Sequence, residues 1–125
     1  MLSSRSATAL IVLVAAGGGP ASDPVLDFAG PPGSGKPFLT RTASGGLLAT
    51  WFEPRDSSRF ALRIAERRGS RWSAPVTVAE RDNFFVNWAD FPSAVEAGNG
   101  RWIVHWLEKT ATKSYAYHVR VSVSA

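Results

Sequence analysis

The sequence predicts an all-β protein, and three observations carry that expectation. No window after residue 36 shows a helical period. Short alternating or apolar runs, broken by Gly, Asn, Asp and Pro, stand there instead, as they do where strands and turns succeed one another. The third observation is an internal repeat. Pro37 and Pro92, Gly45 and Gly100, Trp51 and Trp106, and Glu53 and Glu108 all lie 55 positions apart (92 − 37 for the first pair).

Taken in order, strands are expected near residues 37–43, 47–53, 59–66 and 72–79, then near residues 92–97, 102–108 and 115–124. Ser44-Gly45-Gly46 and Gly98-Asn99-Gly100 are hairpin signals, because Gly and Asn accept the positive φ that tight turns require. Each copy therefore runs proline, short strand, glycine turn, apolar strand ending in Trp-x-Glu, then a polar loop. A unit of this length with four short strands is the pattern of propeller blades. One such sheet cannot bury both of its faces, so a neighbour must stack on it. The expected architecture is two antiparallel four-stranded blades: residues 37–91 form the first with its loop, and residues 92–125 the second, incomplete. A ring of about six blades needs on the order of 300 residues. The chain is accordingly expected to be a piece of a longer propeller, with a small self-contained sandwich as the alternative. Open blade edges would favour self-association.

Residues 1–21 read as a secretory signal. Arg5 precedes an apolar run over residues 7–16, and the small residues Gly17, Gly18, Gly19 and Ala21 come after it. The run is shorter than the roughly 20 residues a membrane-spanning helix needs. A secreted or periplasmic location is expected, with no stable membrane span. Residues 22–36 read as a Gly/Pro-rich linker.

Within that linker, Gly30-Pro31-Pro32-Gly33-Ser34-Gly35-Lys36-Pro37 resembles a nucleotide-binding loop except at its last position. Such a loop needs a helix after it, whose N–H groups hold phosphate. Residues 38–46 read instead as a strand and a hairpin turn. Pro37 also replaces the Ser/Thr hydroxyl that would reach magnesium, and it lacks an N–H. No nucleotide is expected here.

The chain has no cysteine, which excludes disulfides, cysteine metal sites and thiol catalysis. Its formal net charge is +4, and much of the excess lies in Arg55, Arg59, Arg63, Arg67, Arg68 and Arg71. Nucleic-acid binding would require these to converge on one face with aromatics beside them. They fall instead in turns and on alternating strand positions near Glu53, Asp56 and Glu66, as on a solvated surface. No nucleic-acid partner and no cofactor are expected. His105 and His118 have no carboxylate cluster near them in sequence, so no metal site is expected either.

At Ala65-Glu-Arg-Arg-Gly69-Ser-Arg-Trp72-Ser-Ala-Pro75 the chain resembles the sialidase superfamily, whose blades carry the Asp-box Ser-x-Asp-x-Gly-x-x-Trp. Gly69 and Trp72 match the box, while Ala65 stands for its serine and Arg67 for its aspartate. Gly46-Leu-Leu-Ala49 is similar to the strand after the Arg-Ile-Pro motif of that family. Val121-Ser-Val-Ser124-Ala125 is similar to the strand that leads into a box. The resemblance spans about residues 37–125. It implies a sialidase-like β-propeller of carbohydrate-related ancestry, with exo-sialidase or glycoside hydrolase activity in the intact family. It also implies that the substrate face holds residues 83–91, 53–59 and 108–114, with the glycine turns and box turn opposite. The first arginine of the family's triad would fall at Gly35 in one copy and Asp90 in the other, so the arginine is missing. Catalysis by this chain alone is not expected.

Several residues remain as site candidates. Asp90, flanked by Trp88 and Phe91, reads either as an acid on the substrate face or as a turn-forming aspartate before Phe91-Pro92. Trp88 reads either as a platform for a sugar ring or as an aromatic packed under a loop. Asn87, Glu53 and Arg55 complete the expected substrate-contacting set, with a glycan as partner. Glu53 and Glu108 end equivalent strands and read as paired acids or as structural products of the repeat. Trp51, Trp72, Trp102 and Trp106 read as core or inter-blade packing. A second functional reading makes residues 84–91 the contact surface of a small glycan- or protein-binding β module.

Overall fold

The computed structural model of the chain describes residues 28, 30–112 and 115–125; the expected signal over residues 1–21 lies outside them. Among the described residues there are eight strands and no helix. They are β1 (Gly35–Arg41), β2 (Leu47–Pro54), β3 (Phe60–Arg68), β4 (Arg71–Trp72), β5 (Val76–Arg81), β6 (Ser93–Glu96), β7 (Trp102–Lys109) and β8 (Tyr117–Val123). All pairings are antiparallel. The first sheet runs β1-β2-β3, with β4 and β5 both on the far side of β3, and the second runs β6-β7-β8.

β2 and β3 are central because both of their faces are covered. In β2, Leu48, Thr50 and Phe52 point to one side, Ala49 and Trp51 to the other, and all are buried. The hairpin joining β1 to β2 closes where Thr42 N donates to Gly46 O at 3.0 Å and Gly45, at φ +83°, makes the turn. The second hairpin closes on Ala97 N to Arg101 O at 2.8 Å, with Gly98, Asn99 and Gly100 all at positive φ.

The strand expected over residues 72–79 is split in two. Ser73 still donates its N–H to Glu66 O of β3 at 2.8 Å, but Glu66 N donates in return to the Ser73 side-chain Oγ at 3.1 Å. Pro75, two residues on, has no N–H to offer β3. Pairing resumes at Val76 with a register shift opposite Leu62 and Arg63.

The two sheets pack face to face. Leu48, Phe52, Leu62 and Ile64 of the first sheet meet Ala94, Val104 and Trp106 of the second, with Ala79 and Phe84 closing the cluster. Phe52 and Phe84 stack at 4.8 Å between ring centroids. Trp51 and Trp106, equivalent in the repeat, sit on the same side of their respective sheets. Trp106 turns toward the first sheet, and Trp51 turns toward the face that the second sheet does not reach.

That far face is closed from the N-terminal side. Phe28 packs edge-on against Trp51 at 4.6 Å and Trp72 at 5.4 Å. The Gly/Pro stretch is thus more than a spacer at its described end. Pro31 and Ser34 close a turn, Ser34 N to Pro31 O at 3.1 Å, and β1 starts directly at Gly35. The register slips between Gly35 and Phe38, where Lys36 takes φ +54°.

Candidate functional site

The connection from β5 to β6 carries most of the candidate residues, and the chain builds it in two steps. Residues 83–85 first lie against the end of β7, in line with β6: Phe85 N donates to Leu107 O at 2.9 Å and Lys109 N to Asn83 O at 2.7 Å. The chain then loops out through residues 86–91 and returns at Pro92, whose carbonyl accepts a 2.7 Å hydrogen bond from Thr50 Oγ1.

Asn87 organises the excursion. Its Oδ1 accepts from Ala89 N at 2.6 Å and from Asp90 N at 2.8 Å, and its Nδ2 donates to Asp90 Oδ2. An asparagine side chain standing in for a backbone acceptor in this way fixes a turn. Asp90 is half-buried, and Asn87 holds both its N–H and its carboxylate in this turn. Trp88, inside the turn, is 85% exposed, so it is not packed beneath the loop.

Glu53 and Arg55 belong to a separate network. Glu53 is buried and takes Arg55 Nη1 at 3.0 Å and Arg63 Nε at 3.4 Å, while Arg55 also reaches Glu80 at 3.4 Å. Among the described residues no hydrogen bond or ion pair joins this network to Asn87, Trp88 or Asp90. Arg59 pairs with Asp56 and Glu80, and Arg68 pairs with Glu66. Asp56 accepts the Ser58 and Arg59 backbone N–H groups and the Arg59 guanidinium, which holds its carboxyl far below the usual range. The arginines of this region are largely spent on their own carboxylates.

Glu108 shows what the repeated Trp-x-Glu does. Its buried carboxylate accepts from Trp106 Nε1 at 3.0 Å and Arg120 Nε at 2.9 Å, with Arg81 at 3.5 Å. Burial opposes its ionisation, but the Trp106 and Arg120 hydrogen bonds and the two cations outweigh burial and hold it below the ordinary value. In the first copy Trp51 Nε1 is buried with no hydrogen-bond partner among the described residues, and Glu53 takes Arg55 and Arg63. The two glutamates therefore serve separate ion-pair networks.

The chain matches no family model, no curated protein and no solved structure.

Two aromatic residues join the loop end that the sequence did not single out. Tyr117 lies 4.9 Å and Tyr115 5.9 Å from Phe85, ring to ring, and Tyr115 is 83% exposed. Tyr115 comes from the β7–β8 connection and Tyr117 opens β8, both distant in sequence from Phe85, and no local pattern signals the meeting. Beside them a hollow of about 330 Å³ is lined by Asp82, Asn83, Lys109, Thr110, Ala111 and Thr112. Residues 83 and 109–112, expected on one face, do meet there. The glycine turn at Ser44–Gly46 and the β3–β4 turn at Arg68–Gly69 meet at another hollow.

The Gly30–Pro37 stretch leads into strand β1, so it presents no helix N-terminus to a phosphate. No group of three or more His, Cys, Asp or Glu side chains clusters among the described residues. No described helix is long and apolar enough to cross a membrane.

Proposed function

We propose that this chain is a secreted or periplasmic carbohydrate-contacting β module, built as two blades of a sialidase-like propeller and not catalytic by itself. The single observation that carries the contact reading is Trp88. An indole left 85% exposed, on a turn clamped by Asn87, is a rigid apolar plate facing solvent. Sugars present C–H faces that stack on such plates, and a preorganised plate avoids the entropy of ordering a loop. Tyr115 and the polar hollow at Asp82, Asn83 and Lys109 would supply further apolar contact and hydrogen-bonding groups. The blade reading is supported by the offset of 55, by the antiparallel meanders, and by Trp51 and Trp106 facing the same way in consecutive sheets.

The test is a fluorescence titration of the purified chain with sialyllactose and with a neutral oligosaccharide. Binding is expected to quench or shift tryptophan emission, and Trp88→Ala is expected to abolish the response while the melting temperature stays unchanged. A response that survives Trp88→Ala, or none with any sugar tried, would overturn the reading. A fluorogenic sialoside should show no turnover above buffer; turnover abolished by Asp90→Asn would restore an enzyme reading.

A further inference from the structure

We propose that this chain associates head to tail with further copies of itself. The open face of its second sheet would take the Trp51 face of the next copy's first sheet. The inference rests on the blade reading and deepens it.

The molecule already contains the interface that serves as template. Leu48, Thr50 and Phe52 of β2, with Leu62 and Ile64 of β3, form the face that the second sheet covers. Their equivalents in the second sheet, through the repeat and the strand registers, are Ile103, His105 and Leu107 of β7 with Val119 and Val121 of β8. These form one face, and Val119 and Val121 are 61% and 60% exposed. No acidic side chain stands among them. The covering side of the template is Ala94, Val104 and Trp106. Its equivalents are Leu39, Ala49 and Trp51, on the far face of the first sheet. The two ends of the molecule are thus related as the two halves of its internal interface are.

Three details fit the same occupant. Leu39 is 57% exposed on that far face. Trp51 Nε1 and Trp72 Nε1 are buried there with no hydrogen-bond partner among the described residues. Thr50, at the centre of the template, donates to the Pro92 carbonyl, and the equivalent pair across two copies would be His105 with the Pro37 carbonyl. His105 Nδ1 is already bonded to Ser93 Oγ at 2.6 Å, which leaves Nε2 to act across the contact. Phe28 is the present cover of the Trp51 face and must move aside or be incorporated. A heterologous contact of this kind either closes into a ring or runs on as a filament. Propellers hold about four to eight blades, so a closed ring of two-sheet copies has about two to four members.

Sedimentation equilibrium of the purified chain over a wide concentration range is the first measurement, and a discrete oligomer in equilibrium with monomer is expected. Val121→Glu and Leu39→Glu, both at exposed positions, should each give a folded monomer by circular dichroism. An equimolar mixture of the two variants should recover a dimer, because each retains the face that the other has lost. A wild-type chain that stays monomeric overturns the proposal, and so does an oligomer that Leu39→Glu leaves intact or a mixture that fails to pair. A monomer that still responds to sugar through Trp88 removes this inference and leaves the proposed function standing.

Discussion

Thr50 Oγ1 donates a 2.7 Å hydrogen bond to the carbonyl of Pro92, and both residues are buried. It ties the central strand of the first sheet to the start of the second, beside the apolar cluster between them. Thr50→Val keeps the shape and removes the donor, leaving the Pro92 carbonyl desolvated without a partner. The expected loss is about 1–3 kcal/mol of stability. Urea unfolding should show a lower midpoint with an unchanged slope, and Thr50→Ser, which retains the hydroxyl, should cost less than Thr50→Val.

Gly46 is held by close approach. A Cβ there would lie 2.6 Å from the Arg67 carbonyl oxygen and 3.0 Å from Thr42 Oγ1. Gly46→Ala must push β3 away from the hairpin, at a cost of about 1–3 kcal/mol, as for overpacking elsewhere. At Gly45 the need is conformational: φ is +83° and a Cβ would meet nothing within 4 Å. Asparagine tolerates the left-handed region, so Gly45→Asn should be close to neutral. Thermal melts of the two variants decide between the two reasons.

Much of this fold is legible in the sequence because it depends on local chemistry repeated at one offset. The glycine turns need positive φ, and Trp-x-Glu places an indole N–H beside a carboxylate on one strand face, as Trp106 and Glu108 do. The break at Ser73–Pro75 is less legible, since it shows only against the register of β3. Phe28, Tyr115 and Tyr117 find partners far away in sequence, and no periodicity announces such meetings. Trp88 illustrates a further limit. An aromatic in a loop reads equally well as anchor or as contact, and only the position of the Asn87 turn puts it outside. Thr50 reads as one more β-branched strand residue until the second sheet supplies its acceptor.

Phe28 closes the Trp51 face with two edge-on aromatic contacts, at 4.6 Å and 5.4 Å. It is itself partly exposed, so its removal costs less than a core truncation. Phe28→Ala is expected to lower stability by about 1–2 kcal/mol, mainly through the lost aromatic pairs. Trp51 should then become accessible to acrylamide quenching. A variant with unchanged quenching would show that other parts of the chain close this face.

Glu108 links acid sensitivity to the packing of the second sheet. Its folded value lies below its unfolded value, near 4.5, because Trp106, Arg120 and Arg81 outweigh the cost of burial. A carboxylate of this kind stabilises the fold fully above its unfolded value, and the contribution drains away as the pH falls through the folded value. Stability should therefore hold near neutrality and fall below about pH 4.5. Glu108→Gln keeps an acceptor for Trp106 Nε1 and removes the charge that Arg120 and Arg81 face. The expected cost at pH 7 is about 1–3 kcal/mol, in the range of hydrogen bonds to charged groups. That difference should shrink as acid protonates the wild-type carboxylate, so the two stability curves converge toward low pH. Parallel curves would mean that the ionised state of Glu108 contributes nothing, and would assign its role to packing alone.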